Sequence, residues 1–151
     1  MSTQTYTVQP IEFATPEYDE MVRLRYDVLR KPIGRTFTEA QLEAEYADAL
    51  FGIYDAHNNL LGCLIMTEKN SEIVKMRQVA VAENVQGKGI GSEMVRAVEH
   101  WSRHKNYKTI ELNARAVAVN FYKDLGYTAV GEPFEEVGIP HSAMVKQLIK
   151  N

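Results

Sequence analysis

The stretch that most constrains this chain is Val79-Ala80-Val81, an apolar run followed after four residues by Gln86-Gly87-Lys88-Gly89-Ile90-Gly91 and then an amphipathic pattern. Three glycines within five residues waste chain entropy unless the backbone has a task there. Without Cβ atoms, successive amides can turn inward and approach a ligand closely. The helix that follows adds unpaired first-turn N–H groups and a partial positive charge. Together they make an anion cradle suited to a phosphate or diphosphate, in a strand–loop–helix setting that belongs to an α/β fold. The plain alternative is a tight turn with no ligand. Spacing narrows the choice of ligand. A Walker A loop needs GxxxxGK before Ser or Thr, whereas Lys88 stands between glycines. A dinucleotide fingerprint needs GxGxxG, and this loop reads GxGxG; Glu111 does stand near the position of that motif's ribose-binding acid.

The rest of the chain reads as one domain over residues 1–151, with 45% hydrophobic and 25% charged residues, enough for a core without disulfides. A formal charge of −3 argues against nucleic acid as a main partner. No apolar run approaches the ~18 residues of a membrane helix, and MSTQTYTVQP lacks the basic and apolar blocks of a secretion signal. The single cysteine, Cys63, lies in LLGCLIM and reads as a small buried hydrophobe. A reducing, cytoplasmic setting is expected.

Periodicity predicts strands over 5–13, 50–55, 60–68, 72–81, 108–113, 127–131 and 143–148, and helices over 16–30, 38–46, 90–106 and 116–125. Pro16 suits a first helical turn, Thr38 an N-cap, and Gly126 a helix stop. On the long helix, Ile90, Met94, Ala97, Val98 and Trp101 share an apolar face, and Glu93, Arg96, Glu99 and Arg103 are expected on the solvated one. The result is a mixed sheet with helices packed on it.

With those residues in view, VAVAENVQGKGIG resembles the acetyl-coenzyme A signature of the GNAT superfamily of N-acetyltransferases, Gln86, Gly89 and Gly91 matching its Gln/Arg-x-x-Gly-x-Gly/Ala core. The downstream ARAVAVNFYKDLGY is similar to the family's Phe-Tyr-x-x-x-Gly-Phe/Tyr helix, through Phe121, Tyr122, Gly126 and Tyr127. The resemblance implies a mixed, mostly antiparallel sheet splayed at the cofactor strand and flanked by about four helices. It implies that the backbone of Val79, Ala80 and Val81 pairs with a pantetheine arm. Amides of Gln86, Gly87, Lys88, Gly89, Ile90 and Gly91, with Ser92, would hold the diphosphate. Asn120 would reach the cofactor through its side chain, and Tyr122 would stand beside the sulfur. A phenol with a pKa near 10 suits protonation of a departing thiolate.

Other residues keep two readings. Tyr122 flanks the stripe of Val117, Ala118, Phe121 and Leu125, where a half-buried packing tyrosine is the ordinary expectation. Glu111 shares a strand face with Thr109 and Asn113, so it either deprotonates the attacking amine or is paired on a solvated face. His141 follows Gly138-Ile139-Pro140, and is a base, a substrate contact or a surface residue. Glu135 and Glu136 could attract a cationic amine or keep their loop soluble. Arg25 falls inside the apolar arc of Met21, Leu24, Val28 and Leu29; it either pairs with a core carboxylate or meets an anionic substrate group. Arg77 could line the same substrate cleft or merely occupy an exposed strand position. His100 and His104 have the i, i+4 spacing of a zinc pair but no third ligand nearby, so no metal is expected.

The expected activity is acetyl-CoA-dependent transfer of an acetyl group to a primary amine of a small molecule. Catalysis would rest on Tyr122 as acid, with His141, Glu111 or a bridging water taking the amine proton. Substrate would meet Arg25 and Arg77 in a pocket built from the first two helices and the loop 131–142. A homodimer is possible for such a fold. The alternatives are a non-catalytic acyl-CoA sensor and a dinucleotide-dependent oxidoreductase.

Overall fold

Apolar alternation and capping divide the chain into β1 (Thr7–Ile11), α1 (Pro16–Arg25), α2 (Glu39–Glu43), β2 (Ala49–Tyr54), β3 (Leu60–Glu68) and β4 (Ile73–Val81). There follow α3 (Ile90–His104), β5 (Thr109–Arg115), α4 (Val119–Asp124), β6 (Thr128–Glu136) and β7 (Ile139–Gln147). The computed structural model describes residues 5–148; residues 1–4 of the stretch read for a secretion signal, and the chain end beyond 148, lie outside it. Its strands form one seven-stranded mixed sheet in the order β1-β2-β3-β4-β5-β7-β6. No helix among the described residues is long and apolar enough to cross a membrane. The described chain groups into two compact units, one running to Thr67 with Gln78–Val98, the other Glu68–Arg77 with Glu99 onward.

In the first unit β1, β2 and β3 pair antiparallel, from Thr7↔Tyr54 to Ile11↔Leu50 and from Ala49↔Met66 to Tyr54↔Leu60. β2 and β3 are buried almost throughout. Such strands read as continuous apolar runs because both faces are covered. Met21 and Tyr18 of α1 pack with Ile11, Leu50, Cys63, Ile65 and Ala80, and Val22, Leu24, Val28 and Leu29 close the edge of that core. Cys63 is fully buried, and burial pushes its thiol up to about 12, which makes it an inert hydrophobe.

The helix expected over 16–30 changes pitch. Thr15 caps it by accepting from the Tyr18 amide, Pro16 opens it, and α-geometry ends at Arg25. Tyr26–Arg30 then form a π-turn and Lys31–Ile33 a 3-10 turn that stops at Gly34, φ 69°. A 3.6-residue period does not distinguish these pitches over one turn. α2 starts on a reciprocal capping box between Thr38 and Gln41, which satisfies two otherwise unpaired amides.

In the second unit β4 and β5 are parallel, with Ile73, Val74 and Lys75 opposite Thr109, Ile110 and Glu111. The register stops there, although β4 runs on to Val81 and β5 to Arg115. β5 and β7 pair antiparallel along their length, and β6 pairs with β7 with a shift between Val130 and Phe134. The expected loop 131–142 is therefore corrected to a hairpin. Val137 and Gly138, φ 47° and 72°, form its two-residue turn, the geometry that matches strand twist. Pro133 occupies the irregular part of exposed β6, where a missing N–H costs no ladder bond.

Candidate active site

The glycine loop leaves β4 through a strained residue. Gln78 has φ 52° inside the strand, a left-handed conformation that costs a non-glycine residue roughly 1–2 kcal/mol. Its side-chain Oε1 is buried and accepts no hydrogen bond among the described residues. Such strain persists where the surroundings impose it and clusters at functional positions. No sequence signal marks Gln78. Beyond Val81 the Ala82 amide is tied to Leu61 O at 2.8 Å, and the Val85 amide closes a turn on Ala82 O at 3.1 Å. Gln86 spends its donors inside the loop: the side chain bonds Val81 O at 3.0 Å and the amide meets Glu83 O at 3.4 Å.

Gly87 and Gly89 follow with φ 83° and 80°. An added Cβ at either would meet no atom within 4 Å. Their glycine identity thus answers a backbone conformation and leaves the loop surface open. α3 begins at Ile90, and the Glu93 amide makes an i→i−4 helical bond to Gly89 O at 3.1 Å. The amides of Ile90, Gly91 and Ser92 precede that bond and have no partner in the helix. Lys88 is exposed and Ile90 buried, so the loop is anchored on one side and presents N–H groups and an ammonium on the other.

Arg25 takes the core-carboxylate reading. It is 0% exposed and bonds Glu45 in bidentate fashion at 2.8 and 2.7 Å, while the Tyr18 hydroxyl donates to the same carboxylate at 2.7 Å. Its guanidinium also faces the Phe37 ring, which Arg30 covers as well, at 4.6 and 4.5 Å. Glu45 thus occupies both terminal nitrogens of Arg25, while the buried Nε has no hydrogen-bond partner among the described residues. Nothing in the sequence singles out Glu45, a carboxylate between Ala44 and Tyr46 in a segment that already carries Glu43 and Asp48.

In the second unit Tyr122 is more buried than a flank position suggests, 6% exposed, with Phe121 and Tyr127 edge-on at ring distances of 4.9 and 5.7 Å. Burial pushes its phenol up to about 12, so the O–H remains a proton donor far above neutrality. Tyr127 donates to Glu99 at 2.9 Å and Lys146 bonds the same carboxylate at 3.1 and 3.2 Å. Glu99 is 4% exposed, which corrects its expected place on the solvated face of α3. Asn120 is exposed in the first turn of α4.

His141 sits inside β7 rather than at its start and is 7% exposed. Its Nδ1 lies 2.7 Å from Ile139 O. A carbonyl only accepts, so Nδ1 carries the hydrogen and the neutral ring keeps a bare lone pair on Nε2. Phe134 stacks on the imidazole at 5.9 Å, and the Glu136 carboxylate stands 3.8 Å from Nε2. Glu111 takes the paired reading, held by Lys69 at 2.9 Å. Arg77 is half-buried near the end of the β4 segment in this unit. Among the described residues no three His, Cys, Asp or Glu side chains converge as metal ligands.

The family model described as an acetyltransferase (GNAT) domain matches residues 15–148. Protein ElaA of Escherichia coli (strain K12) is 31% identical over 88 residues, 58% of this chain and 58% of ElaA. The match thus spans little more than half of that relative. The crystal structure of Escherichia coli ElaA has a TM-score of 0.76 at 20% identity, covering 94% of this chain and 99% of that one. A GNAT family acetyltransferase from Elizabethkingia anophelis gives 0.73 at 20% identity, covering 95% and 98%. At such identities the structures establish a shared fold. The mixed sheet, the glycine loop and a family match over nearly the whole described chain lead to one conclusion: this protein belongs to the GNAT acetyltransferase family.

Proposed function

We propose that the chain transfers the acetyl group of acetyl-CoA to a primary amine of a small molecule. The observation that carries this reading is the open, left-handed Gly87–Gly89 loop, fixed by Gln86 and leading into the free amides of α3. That loop fits a diphosphate by its donors and by its lack of Cβ atoms. The buried, unpaired Oε1 of Gln78 fits an N–H donor such as a pantetheine amide or an amine. The Elizabethkingia anophelis relative was crystallised with acetyl-CoA bound, which supports the same ligand here.

In this reading the amine attacks the thioester carbonyl, and a tetrahedral intermediate collapses with loss of the CoA thiolate. His141 Nε2, whose lone pair is left free by the Nδ1–H bond, takes the amine proton. A backbone N–H near Val81 stabilises the oxyanion. Tyr122 gives its proton to the departing sulfur. Glu111, held by Lys69, has no part in this assignment, while Arg77 and the β6–β7 hairpin with Glu135 and Glu136 are assigned to the acceptor side.

Calorimetry with acetyl-CoA and with NAD, followed by mass-spectrometric detection of acetylated products across a panel of small primary amines, tests the reading. Heat with acetyl-CoA alone and at least one acetylated amine are expected. Absence of heat at millimolar acetyl-CoA overturns it, and binding without any turnover leaves an acyl-CoA sensor in its place.

A further inference from the structure

The helix that carries Tyr122 is too short to hold itself in place. α4 has six residues, Val119–Asp124, and isolated helices of this length are not stable. What fixes it is a charged network around the buried Glu99 and the half-buried Lys146 at its C-terminal end. Lys146 Nζ donates to Leu125 O at 2.7 Å, directly at the helix C-cap. The same ammonium spends its remaining donors on both oxygens of Glu99, at 3.1 and 3.2 Å. Glu99 also receives the Tyr127 hydroxyl at 2.9 Å. Tyr127 in turn donates its amide to Tyr122 O at 3.0 Å and sets its ring edge-on to that of Tyr122 at 5.7 Å. Gly126 lets the stem of Lys146 pass, since a Cβ there would lie 3.3 Å from Lys146 Cε. Both backbone and ring of Tyr122 are therefore referenced to Tyr127, and Tyr127 and Leu125 are referenced to the Glu99–Lys146 pair.

We infer that Lys146, with Glu99 and Tyr127, is a positioning residue for the proton donor Tyr122, a role resting on the assignment of Tyr122 as the acid. Three elements, α3, α4 and β7, meet at this one ammonium. A cation at a helix C-terminus also complements the carbonyl end of the helix dipole. The network keeps no donor of Lys146 for solvent or substrate, so it acts through geometry and not by contact with the reacting atoms.

The experiment is a double-mutant cycle read by thiol release from acetyl-CoA, using the fastest acceptor of the primary-amine panel. Lys146→Met is expected to lower kcat on the order of 10-fold to 100-fold, the cost of a small misplacement of a reacting group, with KM for acetyl-CoA unchanged. In a Tyr122→Phe background the same substitution should cost nothing further, because there is no proton donor left to misplace. A structural role alone gives equal losses in both backgrounds, and that outcome overturns the inference while leaving Tyr122 as the acid. If Tyr122→Phe retains full kcat, the acid assignment itself falls and the inference with it. Should Lys146→Met fail to fold for want of a partner to Glu99, the paired Glu99→Leu/Lys146→Met chain removes both charges together. The same cycle with Tyr122→Phe then decides.

Discussion

Tyr122 shows how burial converts an ordinary side chain into a specialised one. Its hydroxyl is pushed up to about 12 by desolvation, so the phenol stays neutral well above pH 7. Tyr122→Phe should lower kcat on the order of 100-fold or more, the usual worth of a positioned acid, with little change in acetyl-CoA affinity. Subtracting the ultraviolet phenolate titration of that variant from the parent should leave one tyrosine ionising near 12; a midpoint near 10 would show the ring to be solvated. Arg25 and Glu45 make the complementary case. Glu45→Gln leaves a fully buried guanidinium short of its counter-charge, and a loss of about 3–5 kcal/mol is expected in urea unfolding. The apolar arc around Arg25 told from sequence that this cation was unusual. It did not name the partner, because Glu45 lies twenty residues away in a segment whose pairing depends on tertiary contact. Tyr122 was legible by type and motif, its depth of burial was not.

At the scale of the element, the glycine loop was readable because backbone conformation writes directly into composition. Left-handed φ at Gly87 and Gly89 is what glycine alone adopts without penalty. Gly89→Ala should cost about 1–2 kcal/mol through that conformation, and no more, since its Cβ meets nothing within 4 Å. If the loop receives a diphosphate, the same methyl enters the ligand's space and acetyl-CoA affinity should fall by much more than the change in unfolding energy. Calorimetry beside thermal unfolding separates the two; equal small effects on both would show that the anion docks elsewhere. The hairpin of β6 and β7 was the element least legible. The expected strands stop at 131 and resume at 143, yet Pro133 falls inside β6 where it is irregular and Pro140 near the start of β7. Proline is excluded by a lost ladder bond only where that bond would have formed. The order of strands and helices emerged correctly because hydrophobic period survives such local exceptions.

For the molecule as a whole, the groups that burial disturbs all respond in one direction, and this sets its response to alkali. Cys63 is raised from 9.0 to about 12 and Tyr122 from 10.0 to about 12, each chiefly by desolvation; Tyr127 is raised further by burial and by Glu99. A group whose folded pKa exceeds its unfolded one adds stability that is whole below the unfolded value and lost as pH climbs through the folded value. The unfolded chain therefore begins to release the Cys63 proton near pH 9 and tyrosine protons near pH 10, while the folded chain holds them until about 12. Each such group steepens the loss of stability by about 1.4 kcal/mol per pH unit within its window. Integrated, Cys63 accounts for about 4 kcal/mol and Tyr122 for about 3 kcal/mol, a large share of the 5–15 kcal/mol typical of a domain. Urea unfolding should be level up to pH 9 with respect to these groups and fall between 9 and 12. Cys63→Ala fills most of the same volume without an ionisable thiol, so its curve should stay level to pH 10 and then follow the parent's tyrosine-driven slope. A Cys63→Ala curve that breaks at the same pH as the parent would mean that the thiol at the centre of the first core reaches solvent, and that the packing of Met21, Ile65 and Ala80 around it is looser than their burial indicates.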